Sequence, residues 1–261
     1  MVALPFSAAQ PLVVSGAWIL GMSGGRERRV LVTGGTTRLG LAISEHLRNV
    51  GWRVLTSSHR ADAGADFVAD LSEPLGAAKL YAAVLGTLGG EPPDALVNNA
   101  ALFIGDDAEV ETVNLAAPQK LTMMMAGREN GRGAVVNMLD AALLPRPFDG
   151  SALSSGDIRH PTADGRSCAP GFSNASSRYV SSKLALLEYT MKSAVMFADT
   201  LRVNAVAPGP VFAPIGVREK AGATLLGRPT PEAVAKAVAF LLDADSTTGV
   251  LLPVDGGQHL A

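Results

Sequence analysis

A run of small residues, Thr33-Gly34-Gly35-Thr36-Thr37-Arg38-Leu39-Gly40, joins a stretch that reads as a strand to one that reads as a helix. Residues 29–33 before it (Arg-Val-Leu-Val-Thr) are mostly β-branched and apolar, whereas Leu39, Ile43, Leu47 and Val50 recur with a helical period. Glycines at such a junction let the backbone approach a ligand with no Cβ in the way, and the following helix turns its positive end towards a diphosphate. Turns of this kind recur in many folds. A second motif downstream, Tyr179-Val180-Ser181-Ser182-Lys183, narrows the reading to a nucleotide site beside a proton-transfer site.

The remainder of the chain has the make-up of one α/β domain. At 261 residues, 48% hydrophobic and 18% charged, it can bury a substantial core undivided. A net charge of −2 and the lack of any run of like charge argue against nucleic acid and for a small-molecule partner. The single Cys168 has no partner for an internal disulfide, and no Cys/His cluster has metal-ligand spacing, so a reducing, cytoplasmic setting without metal is expected. Residues 1–27 read as a disordered N-terminal extension, with Met22 as an alternative start, and 28–261 as the domain. The apolar stretch Pro11 to Leu20 is too short to span a bilayer and follows no Lys or Arg, so no membrane association is expected. Organellar import stays open, although the arginines of a transit peptide are missing.

Strand patterns at 29–33, 53–57, 66–69, 95–97, 134–138, 202–206 and 250–254 alternate with helical ones at 39–50, 77–87, 112–126, 181–197 and 231–242. That alternation predicts a doubly wound parallel sheet. Thr230 as N-cap and Pro231 at the first helical position open the last helix. The segment Pro145 to Arg178, rich in Gly, Ser, Pro and Asp, reads as a long loop with an insertion near 146–172, either a lid beside the substrate, or a disordered insertion or gene-model error. His160 and Cys168 within it are given no catalytic role.

Tyr179 and Lys183 stand four apart and share one helix face. A free phenol, with a pKa of about 10, exchanges protons poorly near neutrality. An adjacent ammonium is expected to lower that value while hydrogen-bonding a cofactor ribose. Asn114, in Val113-Asn114-Leu115, reads either as a residue that bends its helix and holds a water in a relay to Lys183, or as an ordinary polar position. Asp70-Leu71 and Asn98-Asn99-Ala100 follow or end predicted strands, where such sheets bind ligands. The second strand runs into Ser57-Ser58-His59-Arg60, with no carboxylate before Asp62. An acid there would bind a ribose 2′-hydroxyl and cations a 2′-phosphate, so Arg60 and Arg38 point to NADPH.

Through Thr33 to Gly40, Asp70-Leu71, Asn98-Asn99-Ala100, Asn114, Tyr179 with Lys183, Pro208-Gly209 and Val254-Asp255-Gly256-Gly257, the chain resembles the short-chain dehydrogenase/reductase family over roughly residues 28–260. The resemblance implies a Rossmann-type sheet and often a homotetramer. It also implies a nicotinamide dinucleotide held by Gly34, Thr37, Arg38, Leu39, Gly40, His59, Arg60, Asp70, Leu71, Asn99, Ala100, Tyr179, Lys183, Pro208 and Gly209. A narrower resemblance is to the pteridine reductases and dihydromonapterin reductases, which carry Arg where most members have the middle glycine, as Arg38 stands here. They also have a His-Arg pair like His59-Arg60, and Asp in place of the catalytic serine, as in Asn137-Met138-Leu139-Asp140. Phe103 matches their ring-stacking aromatic, and the ending Asp255-Gly256-Gly257-Gln258-His259-Leu260 is similar too.

The resemblance thus implies Tyr179, Lys183, Asp140 and Asn114 as catalytic residues and Phe103, Asp140 and Tyr179 as substrate contacts. One departure stands out: Asp140 and Tyr179 lie 39 positions apart, where the family spaces them by about a dozen, as a short loop would. The expected function is an NADPH-dependent reductase of a pterin or dihydropterin. The alternatives are a reductase of a ketone or acyl-carrier substrate, or a non-catalytic NADPH-binding sensor or scaffold.

Overall fold

The structure is a computed structural model and describes residues 26–129, 131–144, 177–212 and 224–260. Residues 1–25 of the expected extension, and the loop from 145 to 176 with His160 and Cys168, lie outside the described residues. Seven parallel strands form one sheet: β1 (Arg29–Thr33), β2 (Arg53–Ser58), β3 (Phe67–Val68), β4 (Ala95–Asn98), β5 (Gly133–Met138), β6 (Leu201–Pro208) and β7 (Leu251–Val254). Their spatial order is β3-β2-β1-β4-β5-β6-β7. The order reverses between β1 and β4, and ligands of doubly wound sheets bind beyond the strand ends at that switch.

The period-two alternation of the strands divides the core. Val30, Val32, Val54, Val97 and Val136 face one way and pack against α1 (Arg38–Asn49) and α6 (Pro231–Asp243). Leu31, Leu55, Leu96, Val135 and Val203 face the other way, towards α2 (Gly76–Thr87) and α4 (Ala117–Ala126). With both faces covered, the strands can be apolar throughout. Helix α6 begins as its sequence predicts: the Thr230 side chain accepts the Ala233 N–H at 3.1 Å, and Pro231 takes the first position.

Three expected elements differ. The strand expected at 66–69 keeps only Phe67–Val68, because the Asp66 carboxylate takes the Thr56 N–H and hydroxyl, each at 2.7 Å, in place of ladder bonds. The helix expected from 112 starts earlier, as α3 (Asp107–Glu111), where Asp106 accepts the Glu109 N–H at 2.8 Å. It then widens into a π-turn over Thr112–Ala116 before α4. Helix α5 (Ser177–Met196) starts four residues ahead of expectation and takes in Arg178, which the sequence assigned to the loop, and Tyr179.

Candidate active site

The glycine turn carries the nucleotide end of the site. Gly34 has φ +60°, and a Cβ there would crowd Ala100; on Gly40 it would overlap the Gly34 carbonyl oxygen. The Asn99 side chain locks this turn, donating to the carbonyls of Thr33 (3.0 Å) and Gly34 (3.1 Å), while the Thr33 hydroxyl accepts the N–H groups of Asn99 and Ala100, each at 3.0 Å. Asn99 therefore shapes the cradle instead of presenting its N–H₂ to a ligand. On these grounds the cradle fits a diphosphate: its backbone turn, built on Gly34 and Gly40, lines the cleft at the start of α1.

One cleft of about 940 Å³ runs from this turn to the proton-transfer residues. Thr37, Arg38, Leu39, His59, Arg60, Asp70 and Leu71 line its nucleotide end, and Phe103, Asp140, Tyr179, Lys183, Pro208 and Gly209 its other end. Asp70 accepts the hydroxyl and the N–H of Ser72, at 2.7 and 2.9 Å, and these bonds hold its carboxyl below the usual carboxylate range. Arg60 is exposed and forks onto Asp62, with bonds of 2.9 and 2.6 Å. The pairing lowers the Asp62 pKa, so the carboxylate absent from the strand end still reaches the arginine from two residues on.

At the other end, the Tyr179 hydroxyl donates to Asp140 Oδ2 at 3.1 Å. The Phe103 ring meets the Tyr179 ring edge-on, with centroids 4.8 Å apart at 64°. Lys183 is buried, and its ammonium donates to the Met138 carbonyl at 2.9 Å while lying 5.9 Å from the centre of the Tyr179 ring. The expected lowering of the tyrosine pKa is corrected here. Burial first, and then the Asp140 carboxylate with its hydrogen bond, push the phenol well above its ordinary range. Burial pushes Lys183 down to about 8, with Asp140 partly opposing. Asn114 sits in the π-turn, but its side chain is taken: Leu102 N–H and carbonyl bond it at 2.8 Å each, and its N–H₂ reaches Ser182 Oγ at 3.3 Å. It braces the chain that carries Phe103 and leaves its side chain little scope to hold a relay water.

A family profile described as enoyl-(acyl carrier protein) reductase matches residues 166–259. A relative from Streptomyces violaceoruber, assigned as ketoacyl reductase 2 of the granaticin polyketide synthase, is 31% identical over 252 residues, 88% of this chain and 95% of that protein. The chain belongs to the short-chain dehydrogenase/reductase family. Protein FixR of Bradyrhizobium diazoefficiens is 29% identical over 255 residues, 90% of this chain and 88% of FixR. Among solved structures, FolM alternative dihydrofolate reductase 1 of Brucella canis, complexed with NADP, matches with a TM-score of 0.70 at 28% identity, covering 90% of this chain and 95% of that one.

As a short-chain dehydrogenase/reductase the chain is an oxidoreductase, and its cleft holds groups that motif reading passed over. The Met138 carbonyl has a structural signal only, since a backbone acceptor leaves no trace in sequence. Phe212, four residues beyond Pro208, lies under the Arg38 guanidinium at 4.7 Å. Glu109 lines the cleft near Phe103. Among the described residues no group of His, Cys, Asp or Glu could hold a metal ion, and no helix is long and apolar enough to cross a membrane.

Proposed function

We propose that this chain is an NADPH-dependent reductase of a pterin or dihydropterin. The observation that carries the reading is the Tyr179–Asp140 hydrogen bond of 3.1 Å beside the Phe103 ring, in the cleft that also holds the glycine turn. The likeness to a FolM dihydrofolate reductase complexed with NADP supports it. Bound in this cleft, the dinucleotide supplies hydride to a C=N bond of the substrate. Phe103 offers a half-exposed aromatic face to a flat heterocycle. Tyr179 keeps its proton through neutral pH and so presents a donor to a ring nitrogen, while Asp140 shares that proton and accepts from an amino-pyrimidine edge. Lys183, brought down to about 8 by burial, changes charge close to neutrality.

The test follows NADPH oxidation by the full chain with dihydrobiopterin, dihydromonapterin and dihydrofolate against a panel of ketones and acyl thioesters. Pterin turnover is the expected result; turnover confined to the carbonyl panel would replace this reading with the second one. The ketoacyl reductase relative at 31% identity favours that second reading, a carbonyl reductase on the same scaffold. Asp140→Ser separates the two. It is expected to lower pterin kcat by about 10²-fold, the scale of one proton-transfer group, whereas a carbonyl reductase would keep or gain activity with the family's usual serine.

The Arg60–Asp62 pair bears on cofactor choice. A 2′-phosphate must compete with Asp62 for the guanidinium, so Asp62→Asn is expected to raise the preference for NADPH over NADH about threefold, as exposed ion pairs are weak. Calorimetric titration with both dinucleotides measures it, and an unchanged ratio would take Arg60 out of phosphate recognition. Homotetramer formation belongs to the same reading: Met123 on α4 and Met191 and Val195 on α5 are exposed on neighbouring helices, and light scattering gives the mass.

A further inference from the structure

Arg38 is the one non-glycine among the described residues with φ in the left-handed region, at +50°. That backbone costs an arginine about 1 kcal/mol. The side chain that leaves from it reaches across the cleft, and its guanidinium carbon rests 4.7 Å from the centre of the Phe212 ring. No carboxylate among the described residues pairs with it, in contrast to Arg60 with Asp62. Stacking on a ring engages the face of a guanidinium, while its N–H donors lie in the plane and stay available to oxygen acceptors.

The backbone leading to that ring is held in place. Gly209 N–H donates to the Val254 carbonyl at 3.0 Å, Val211 N–H to the Gly209 carbonyl at 2.8 Å, and the Arg228 guanidinium to the Pro210 carbonyl. Gly209 also presses on Asp255, where a Cβ would come within 2.6 Å of the Asp255 Cα. The short segment from β6 to Phe212 is thus pinned to β7 and the chain after it. Phe212 and Arg38 both line the cleft.

We propose that Phe212 is a positioning residue for the dinucleotide: its ring holds the Arg38 guanidinium at the glycine turn as a receptor for the diphosphate. The proposal rests on the NADPH reading above. It also redirects Arg38, which the sequence enlisted for the 2′-phosphate. Phe212 follows β6, whereas His59 and Arg60 follow β2, towards the opposite edge of the sheet. Both NADPH and NADH carry the diphosphate, and only NADPH carries the 2′-phosphate, so the two roles give different signatures.

The test titrates wild type, Phe212→Leu, Phe212→Trp and Arg60→Ala with NADPH and NADH, by calorimetry, with thermal melting to check that each variant is folded. Phe212→Leu is expected to weaken both dinucleotides about fivefold, Phe212→Trp to retain affinity, and Arg60→Ala to weaken NADPH alone. In an Arg38→Gln background, Phe212→Leu is expected to add less than about twofold, because its effect passes through Arg38. Wild-type affinity in Phe212→Leu, a loss limited to NADPH, or full additivity with Arg38→Gln would each overturn the proposal. Failure of the wild-type chain to bind either dinucleotide would instead overturn the cofactor reading beneath it.

Discussion

Tyr179→Phe is expected to lower kcat by about 10³-fold, within the range that a positioned proton donor contributes, while dinucleotide affinity changes little. The variant keeps the ring, so it keeps the edge-on contact with Phe103 at 4.8 Å and the buried packing at the start of α5. It loses only the hydroxyl that donates to Asp140. That isolates the chemistry from the architecture. Because burial and Asp140 hold the phenol proton well above neutral pH, the wild-type residue is a donor at any ordinary assay pH, and its removal cannot be rescued by shifting pH within that range. Single-turnover NADPH oxidation, with a parallel binding titration, measures both quantities. Turnover within tenfold of wild type would remove Tyr179 from the proton path.

Much of this was legible in the sequence because of two short periods. Buried parallel strands are nearly continuous apolar runs, so Val30 to Val32 and Val135 to Val136 announce themselves, and the four-residue spacing of Tyr179 and Lys183 places both on one helix face. Cap chemistry is equally local, and Thr230-Pro231 fixes the start of α6. What failed was non-local or side-chain directed. The truncation of β3 depends on Asp66 reaching back to Thr56, and the π-turn at Asn114 obeys no hydrophobic period. The direction of the tyrosine pKa shift was misread because burial first, and then Asp140, raise it, neither visible in the local sequence, while the Met138 carbonyl, 45 positions away, claims the ammonium. The Arg38–Phe212 stack joins residues on two different strand ends, and nothing in either local sequence declares it.

Lys183→Met is expected to stabilise the protein while removing turnover, and the reason lies in where the charge sits. The lysine side chain is fully buried, with one bond of 2.9 Å to the Met138 carbonyl recorded for an ammonium that has three donors. Burial lowers its pKa from 10.5 to about 8. Below pH 8 the folded and unfolded chains both carry the proton, so the cost of burying the charge, about 3 kcal/mol by linkage, is present in full. Between about 8 and 10.5 the unfolded chain still holds a proton that the folded chain has lost, and wild-type stability rises with pH. Above pH 10 Tyr179 opposes this: its folded pKa is raised, the unfolded phenol ionises first, and stability falls. The clean window is therefore pH 8 to 10. Methionine fills similar volume without charge but leaves the Met138 carbonyl short of a donor, so the net gain at pH 7 is expected to be about 1 to 2 kcal/mol. Urea unfolding at pH 7, 8.5 and 9.5 should show a wild-type curve that rises through the window and a Lys183→Met curve that stays flat. Parallel curves for the two proteins would show that the stability cost is not set by this buried charge. Loss of stability with retained turnover would make Lys183 a packing residue, not a member of the proton-transfer set.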